Sequence, residues 1–160
     1  MQARDLPAVV ALAAQAHPAY PERDDVFAER LALAPNLCLV HEAEGSFAGY
    51  MIAHPWREGP PPALDTLLGT LPDGADLVHL HDCVIAPAAR GRGGAAGGLA
   101  ALVARARGRF RAIGLVAVDG KDAYWSRFGF RPVAAPAPGT TLDAYGARAV
   151  PMRLPLGGTP

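Results

Sequence analysis

Apolar and polar positions in the first third of the chain predict two helices and a hairpin. Residues 6–17 are apolar on nearly every side, and residues 22–34 carry one apolar face bounded by prolines. Both patterns are typical of helices packed on a core. Two apolar runs follow at residues 37–43 and 47–54, and the Glu-Gly-Ser sequence at 44–46 is a turn signal between them. We therefore expect two helices followed by two paired strands.

Beyond residue 54, predicted strands alternate with predicted helices. A proline-rich loop over residues 55–62 and a short helical piece over 63–71 lead into this region. The further elements are a strand at 76–85, a helix at 99–109, a strand at 112–118, a short helix at 122–128, and strands at 130–135 and 147–154. The run at 112–118 is almost continuously apolar, as in a strand buried on both faces. The alternation predicts an α/β (α+β) fold, with helices flanking a mixed central sheet that is parallel at its middle.

Size and composition fit one globular domain. The chain has 160 residues, of which 51% are hydrophobic and 19% charged, so enough apolar surface exists to offset the entropy lost on folding. We expect a single domain over residues 1–156 and a disordered tail over 157–160. The 15 basic residues balance 15 acidic ones, which argues against a nucleic-acid partner. No apolar run is long enough to span a membrane.

Cysteine and histidine spacing argues against a disulfide scaffold and against a metal site. Cys38 and Cys83 are far apart, and the five histidines form no H-E-x-x-H motif. The apolar stretch at 6–16 has some features of a secretory signal. Asp5 and Pro7 at its start are more typical of a helix N-terminus. We therefore expect a cytoplasmic protein without a bound metal.

A glycine-rich turn between the strand at 76–85 and the following helix is the most informative stretch. The first N–H groups of a helix lack backbone partners, and the helix dipole is positive at that end, so such a turn can bind an anion. Gly91, Gly93 and Gly94 allow a phosphate to approach the backbone, and Arg90 and Arg92 add positive charge. The turn therefore predicts a phosphate site.

The spacing of the glycines distinguishes between phosphate ligands. The P-loop pattern is absent, whereas residues 91–96 match the dinucleotide pattern G-x-G-x-x-A. In a dinucleotide fold the glycines follow the strand directly and lie early in the domain. Here residues 86–90 intervene and the motif lies past the middle of the chain. A dinucleotide-binding redox protein is thus the weakest of the alternatives.

Three segments resemble the GCN5-related N-acetyltransferase (GNAT) family. Arg90-Gly91-x-Gly93-x-Ala95 resembles its R-x-x-G-x-[GA] acyl-CoA signature. Residues 84–87 resemble the exit of its fourth strand, and residues 124–130 resemble its F-Y-x-x-x-G-F segment. The order helix-helix-strand-strand is also similar, with the family's first strand reduced to a stub before Asp5.

The resemblance implies the GNAT acyl-CoA N-acyltransferase fold, in which the fourth strand splays from the fifth to admit a thioester. It implies acetyl-CoA as co-substrate, a small-molecule primary amine as acceptor, and a monomer or homodimer. The backbone of Cys83, Val84 and Ile85 would bind the pantetheine amides. The pyrophosphate would be bound by the turn formed by Arg90, Gly91, Arg92, Gly93, Gly94, Ala95 and Ala96.

The proton path departs from the family's pattern. Trp125 occupies the position where members often carry a tyrosine acid. Tyr124 beside it is a further catalytic candidate, although its adjacent position is expected to point elsewhere. His79 and His81 share one face of their strand by alternation and resemble the His-x-His pair of amine-acetylating members. The pair is either a proton shuttle or an ordinary pair of sheet histidines. Alternation directs Asp82 to the opposite face.

The function predicted from these residues is transfer of acetyl to a primary amine by direct attack on the thioester. The alternative is a catalytically inactive acetyl-CoA-binding module of the same fold, which Trp125 favours and the histidine pair disfavours. Several side chains could line the acceptor side. They are Tyr20, Glu22, Asp24, Asp25, Trp56 and Tyr145. For the three acids a contact with the helix dipole is the better interpretation, and for the aromatic residues the sequence does not choose between this role and a structural one.

Overall fold

Six strands form one mixed sheet within residues 1–157, the part of the chain that the computed structural model describes. They are β1 Leu39–Ala43, β2 Ser46–Trp56, β3 Leu77–Ile85, β4 Ala112–Ala117, β5 Arg131–Pro132 and β6 Val150–Pro155. Their order in the sheet is β1-β2-β3-β4-β6-β5. β3 and β4 are parallel, and the other neighbouring pairs are antiparallel. The expected mixed sheet with parallel pairing at its middle is confirmed.

Helices cover both faces of this sheet. The α-helices of the described residues are α1 Leu6–Ala16, α2 Asp24–Leu33, α3 Gly94–Ala106 and α4 Asp122–Ser126. Tyr50 and Ile52 of β2 pack with α1 and α2, whereas Met51 and Ala53 pack with α3. Because successive side chains of a strand point to opposite faces, α1 and α2 lie on one face and α3 on the other. None of the helices in the described part of the chain is long and apolar enough to cross a membrane.

Several element boundaries differ from the expectation. α3 begins at Gly94 instead of residue 99, and β6 begins at Val150 instead of residue 147. The strand expected over 130–135 is only two residues long as β5. Residues 3–5 form a short 3-10 helix where a strand stub was expected. Of the expected disordered tail, residues 158–160 lie outside the described residues.

The prediction of a short helix over residues 63–71 is wrong. The structure has turns there, because one carboxylate before α2 and one within α2 bind backbone N–H groups that a helix would use. Glu22 accepts a hydrogen bond from the N–H of Asp65 at 2.9 Å, and Glu29 accepts from Leu68 and Gly69 at 2.7 and 2.8 Å. Tertiary hydrogen bonds thus replace local helical ones in this segment.

β3 contains a bulge that changes which side chains share a face. Ile52 lies opposite Asp82 and the next residue, Ala53, lies opposite Leu80, so His81 is an extra residue on β3. An extra residue in one strand resets the alternation beyond it. Asp82 therefore lies on the α1/α2 face together with His79 and His81. The expectation that Asp82 faces the opposite side is wrong, because it assumed a regular strand.

β3 and β4 separate soon after they begin. Their pairing extends from Leu77 opposite Ala112 to His79 opposite Gly114 and does not continue within the described residues. β3 runs on to Ile85, so its second half borders a gap on the β4 side. This gap is the splayed strand pair that the fold class predicted.

Candidate active site

The second half of β3 directs backbone groups into this gap. Just beyond β3, the N–H of Ala86 donates to the carbonyl of Ala48 in β2 at 2.9 Å. Backbone groups alternate in direction along a strand, so those of Val84 also point to β2 and those of Cys83 and Ile85 point to the gap. The expectation that all three residues offer their backbone to a ligand is therefore wrong for Val84, because β2 already uses its groups.

Two of the backbone groups that face the gap are in contact with a side chain of their own chain. The Asp82 carboxylate accepts a hydrogen bond from the N–H of Cys83 at 2.7 Å. The Arg90 Nε donates to the carbonyl of Ile85 at 3.1 Å. The Arg90 side chain thus links the end of β3 to the glycine-rich turn.

That turn leads into α3 with open space around its glycines. Gly91 and Gly93 have φ values of +77° and +81°, in the left-handed region that favours glycine. A Cβ at either position would meet nothing within 4 Å, whereas a Cβ at Gly94 would lie 2.8 Å from the His41 Nε2. No side chain of the described residues caps α3. The first amides of α3, at Gly94, Ala95 and Ala96, are therefore available to an anion.

His79 lies at the base of the gap, beside a cavity of about 130 Å³ on the α1/α2 face. Its side chain is buried, and it has no hydrogen-bond partner among residues 1–157. Burial lowers the pKa of His79 well below its ordinary value of 6.5, and the neighbouring His54 and His81 lower it further. His79 is therefore neutral near pH 7, with one ring nitrogen able to accept a proton.

His81 forms a buried contact with Glu22. The His81 Nε2 lies 2.8 Å from a Glu22 carboxylate oxygen, and the two side chains are 1% and 7% exposed. Burial raises the pKa of Glu22, but the hydrogen bonds from His81 and the Asp65 N–H outweigh it and the pKa is lowered overall. Glu22 is thus an ionised partner of His81. Asp24 and Asp25 instead lie exposed in the first turn of α2.

A third histidine, His54, completes this group, and the sequence reasoning missed it. Its ring centroid lies 5.6 Å from that of His79 and 6.1 Å from that of His81. His54 Nδ1 lies 3.0 Å from the Pro55 carbonyl, and its buried Nε2 has no partner in the described structure. Burial lowers the pKa of His54 to about 3. The signal was the cross-strand pairing of His54 with His79, which becomes visible only once the β2–β3 register is known.

The chain is similar to known proteins in both sequence and fold. A model of the acetyltransferase (GNAT) family matches residues 6–130. The chain belongs to this family. GNAT members are acetyl-CoA-dependent N-acetyltransferases, so the family and enzyme class predicted from the sequence are confirmed. A comparison of the sequence with curated proteins gives no match.

Solved structures share the GNAT fold over nearly their whole length. GphF, a GNAT-like decarboxylase in complex with isobutyryl-CoA, has 17% identity and a TM-score of 0.78 over 98% of this chain and 97% of its own. The ribosomal-protein-S18-alanine N-acetyltransferase from Escherichia coli has 17% identity and a TM-score of 0.68, over 100% and 93%. The putative acetyltransferase yncA from Salmonella typhimurium, with acetyl-CoA, has 18% identity and 0.69, over 99% and 92%. These likenesses show the fold.

Trp125 and Tyr124 of the GNAT aromatic segment lie in different surroundings. Trp125 packs on Phe128 and Phe130 against the core beneath α3. Tyr124 is 39% exposed. Burial raises the pKa of Tyr124, and the nearby Cys83 raises it further. The Tyr124 hydroxyl is therefore protonated near pH 7 and lies near the residue that borders the gap, although the sequence suggested that it would point elsewhere.

Asp82 joins three elements on the α1/α2 face of this GNAT sheet. It accepts hydrogen bonds from the Tyr50 hydroxyl at 2.5 Å and from the N–H of Cys83, and it lies 3.0 Å from the His17 Nε2. The hydrogen bond with Asp82 raises the pKa of His17. Burial raises the pKa of Asp82, but the bonds from His17 and Tyr50 lower it overall. This network fixes the bulge and the end of α1.

The remaining candidates of the acceptor side hold the loops together. The Tyr20 hydroxyl donates to the Tyr145 carbonyl at 3.2 Å, and the Tyr145 hydroxyl donates to the Pro62 carbonyl at 2.7 Å. Trp56 lines the cavity beside His79 and donates through Nε1 to Pro60 at 3.0 Å. Trp56 therefore contacts the space next to His79, whereas Tyr20 and Tyr145 tie together the segments around it.

Proposed function

We propose that the protein transfers the acetyl group of acetyl-CoA to the primary amine of a small molecule by direct attack. The observation that carries the proposal is the gap between β3 and β4, which leads from His79 to the open glycine turn. An extended pantetheine arm would pair with the backbone of Cys83 and Ile85 like an added strand. Its amides would take the place of the Asp82 and Arg90 side chains on those groups.

The pyrophosphate of acetyl-CoA would lie on the turn at residues 91–96. Two features support this: the free amides at the start of α3, and the open space beside Gly91 and Gly93. The dipole of α3 favours negative charge at this end. Arg92 forms only an exposed ion pair with Glu44 at 3.2 Å, and such pairs contribute little. Arg92 is therefore free to turn toward a phosphate.

His79 is the proposed general base. The amine nitrogen bonds to the thioester carbonyl carbon, the C–S bond breaks, and the nitrogen gives one proton to His79. A weak base suffices at this stage, because the nitrogen becomes far more acidic once it bonds to the carbonyl carbon. The neutral state of His79 and its position on the cavity support this role. Because His54 and His81 disfavour the protonated form of His79, the proton would leave His79 again readily, toward the neighbouring pair of His81 and Glu22.

Tyr124 is the proposed acid for the departing thiolate. It is protonated near pH 7, is partly exposed, and lies close enough to Cys83 for the charge of a thiolate there to raise its pKa. The thiolate sulfur would take the Tyr124 proton and leave as the CoA thiol. The exposed hydroxyl would then regain a proton from solvent. Trp125 carries no ionisable group and packs in the core, so it takes no part in this step.

The size of the cavity favours a small acceptor. Its volume is about 130 Å³, and the segment following β2 and the segment following β5 form part of its lining. A volume of this size fits an amine with a few carbon atoms. The inactive acetyl-CoA-binding module remains the second candidate, because Trp125 replaces the usual tyrosine.

Thiol release from acetyl-CoA across a panel of small primary amines tests the proposal. We expect amine-dependent release, with a slower reaction in Tyr124→Phe. We also expect acetyl-CoA to raise the melting temperature. At about 100 times the dissociation constant, the stabilisation approaches about 2.7 kcal/mol. A melting shift with acetyl-CoA but no thiol release with any amine would establish the inactive module. A larger shift with NAD than with CoA would contradict both candidates.

A further inference from the structure

Arg153 lies in the same row of the sheet as His79. His79 of β3 pairs with Gly114 of β4, which in turn pairs with Arg153 of β6. Neighbouring strands are about 4.8 Å apart, so only one strand separates the backbones of His79 and Arg153. Paired residues of neighbouring strands point to the same face. Both side chains therefore project on the α1/α2 face, and both line the 130 Å³ cavity.

The glycine between them creates room for the arginine. A Cβ at Gly114 would overlap the Arg153 Nη1 and lie 3.0 Å from its Cζ. The guanidinium thus lies flat over β4, in the space that a side chain at 114 would fill. This brings its positive charge toward His79, and Arg153 contributes to the low pKa of that histidine.

The Arg153 guanidinium has N–H donors without a close acceptor. Its Nη2 donates to Glu58 at 3.0 Å, and Nη1 makes a long contact of 3.4 Å with the Met152 carbonyl. Its Nε is buried and has no acceptor within residues 1–157. The Arg153 side chain is only 16% exposed. A buried donor without a partner costs stability unless a ligand satisfies it.

The Glu58 carboxylate is not a permanent partner of the Arg153 guanidinium. It is 57% exposed and also binds Arg111 at 2.5 Å, which lies outside the cavity lining. An anion arriving at the Nε and Nη2 edge of Arg153 could displace Glu58 from Nη2, and Glu58 would retain Arg111 as partner. The planar edge of an arginine matches a carboxylate with two parallel hydrogen bonds.

We propose that Arg153 binds a carboxylate of the acceptor, so that the substrate class is a small amino acid. This rests on the proposed acetyl transfer. In an α-amino acid one carbon separates the carboxylate from the amine, so a carboxylate on Arg153 presents the amine toward His79. The other cavity walls include Trp56, Leu77 and Leu115, which suit an apolar side chain.

Matched acceptor pairs test the inference: valine against isobutylamine, and alanine against ethylamine. Each pair differs by the carboxylate alone. The quantity compared is the ratio of kcat/KM for the acid to that for its analogue, measured in each variant, so that the different basicity of the two amines cancels. Losing one partner of a buried charge pair is a large effect, and we expect Arg153→Met to lower the ratio about 30-fold or more. Arg153→Lys, which lacks the planar fork, should lower it less.

Two further variants separate recognition from a folding defect. Gly114→Ala keeps the guanidinium but displaces it, and should also lower the ratio. Arg109→Met removes an exposed arginine that does not line the cavity and should leave the ratio unchanged. Calorimetric titration of the CoA-bound protein with valine and isobutylamine gives the same comparison without turnover. Equal binding of both ligands, or an unchanged ratio in Gly114→Ala and in Arg153→Lys, would overturn the inference. Absence of thiol release together with preferential valine binding would instead count against acetyl transfer alone.

Discussion

The Nε2 of His81 lies 2.8 Å from the Glu22 carboxylate, and both side chains are almost completely buried. The pair joins the α1–α2 connection to the bulge of β3. Glu22 also accepts the N–H of Asp65. One carboxylate therefore holds both a predicted catalytic strand and the segment around Asp65.

Glu22→Gln is expected to destabilise the protein and to weaken the pH dependence of its stability. The folded-state pKa of Glu22 lies below its ordinary value of 4.5. Its stabilising contribution is thus present above pH 4.5 and is lost as pH falls through the folded-state pKa. Loss of hydrogen bonds to a charged group should cost about 1–3 kcal/mol at pH 7. Urea unfolding at pH 7 and pH 4 measures both effects.

Asp24→Asn is the matched control, since it removes the same charge from an exposed position two residues away. Its effect should stay within the few tenths of a kcal/mol typical of a helix-dipole contact. Equal losses in the two variants at pH 7 would show that the buried contact with His81 contributes nothing of its own.

His79→Gln is expected to lower kcat about 100-fold or more while the affinity for acetyl-CoA stays the same. General base catalysis contributes about 10²–10⁴, and the proposed cofactor contacts are backbone groups on another stretch of β3. Single-turnover acetyl transfer and CoA titration give the two quantities. The double variant His79→Gln, His81→Gln should be at least as slow. Near-normal turnover of the double variant would mean that both histidines are structural.

His54→Asn tests the third ring. Asparagine can still donate to the Pro55 carbonyl but lacks the Nε2 that lies among the histidines. His54 is one of the groups that lower the pKa of His79; burial is the largest cause, and His81, Arg153 and Arg30 also act in that direction. Removing His54 should therefore raise the pKa of His79.

The higher pKa of His79 is expected to shift the inflection in the plot of kcat against pH. We expect the inflection in kcat to lie well below pH 6.5 in the unmodified protein and at higher pH in His54→Asn. The measurement is kcat at saturating acceptor from about pH 9 down to the lowest pH at which both proteins remain folded. An identical profile in both proteins would show that His54 does not influence the base.

Gly93→Val is expected to abolish CoA binding in a folded protein. The side chain would occupy the open space beside the turn, where the pyrophosphate is proposed to lie. Gly108→Val is a control with the same strain: Gly108 has φ +78° against +81° for Gly93, and its Cβ position is equally open. A left-handed conformation costs a side-chain-bearing residue about 1–2 kcal/mol, so both variants should lose similar stability. Retained CoA affinity in Gly93→Val would reject the phosphate assignment.

Local patterns in the sequence were sufficient to predict the glycine turn and the order of the main helices and strands. The turn at 91–94 depends on glycines that are adjacent in sequence, and the strand after α3 is apolar throughout. In contrast, the position of Asp82 depends on a single extra residue in β3. A bulge has no signal in a stretch such as His-Leu-His-Asp-Cys, so alternation gave the wrong face.

The site residues that were missed are those brought together by register. His54 and Arg153 lie 25 and 74 positions from His79 in the sequence, and they become its neighbours only through pairing across β2 and across Gly114 of β4. The error at 63–71 has a related cause. Its residues have adequate helix propensity, but Glu22 and Glu29 bind the amides that a local helix would need.

The way this segment is held has a consequence for altering the protein. Glu22 and Glu29 bind the segment by its backbone N–H groups, and Arg30 binds the Thr66 carbonyl at 2.8 Å. These contacts involve only backbone groups of the segment and do not depend on its side chains. The side chains of residues 63–71 can therefore be exchanged while the backbone path of the segment is preserved. Replacing Glu22 or Glu29 would instead release that backbone, whatever sequence the segment carries.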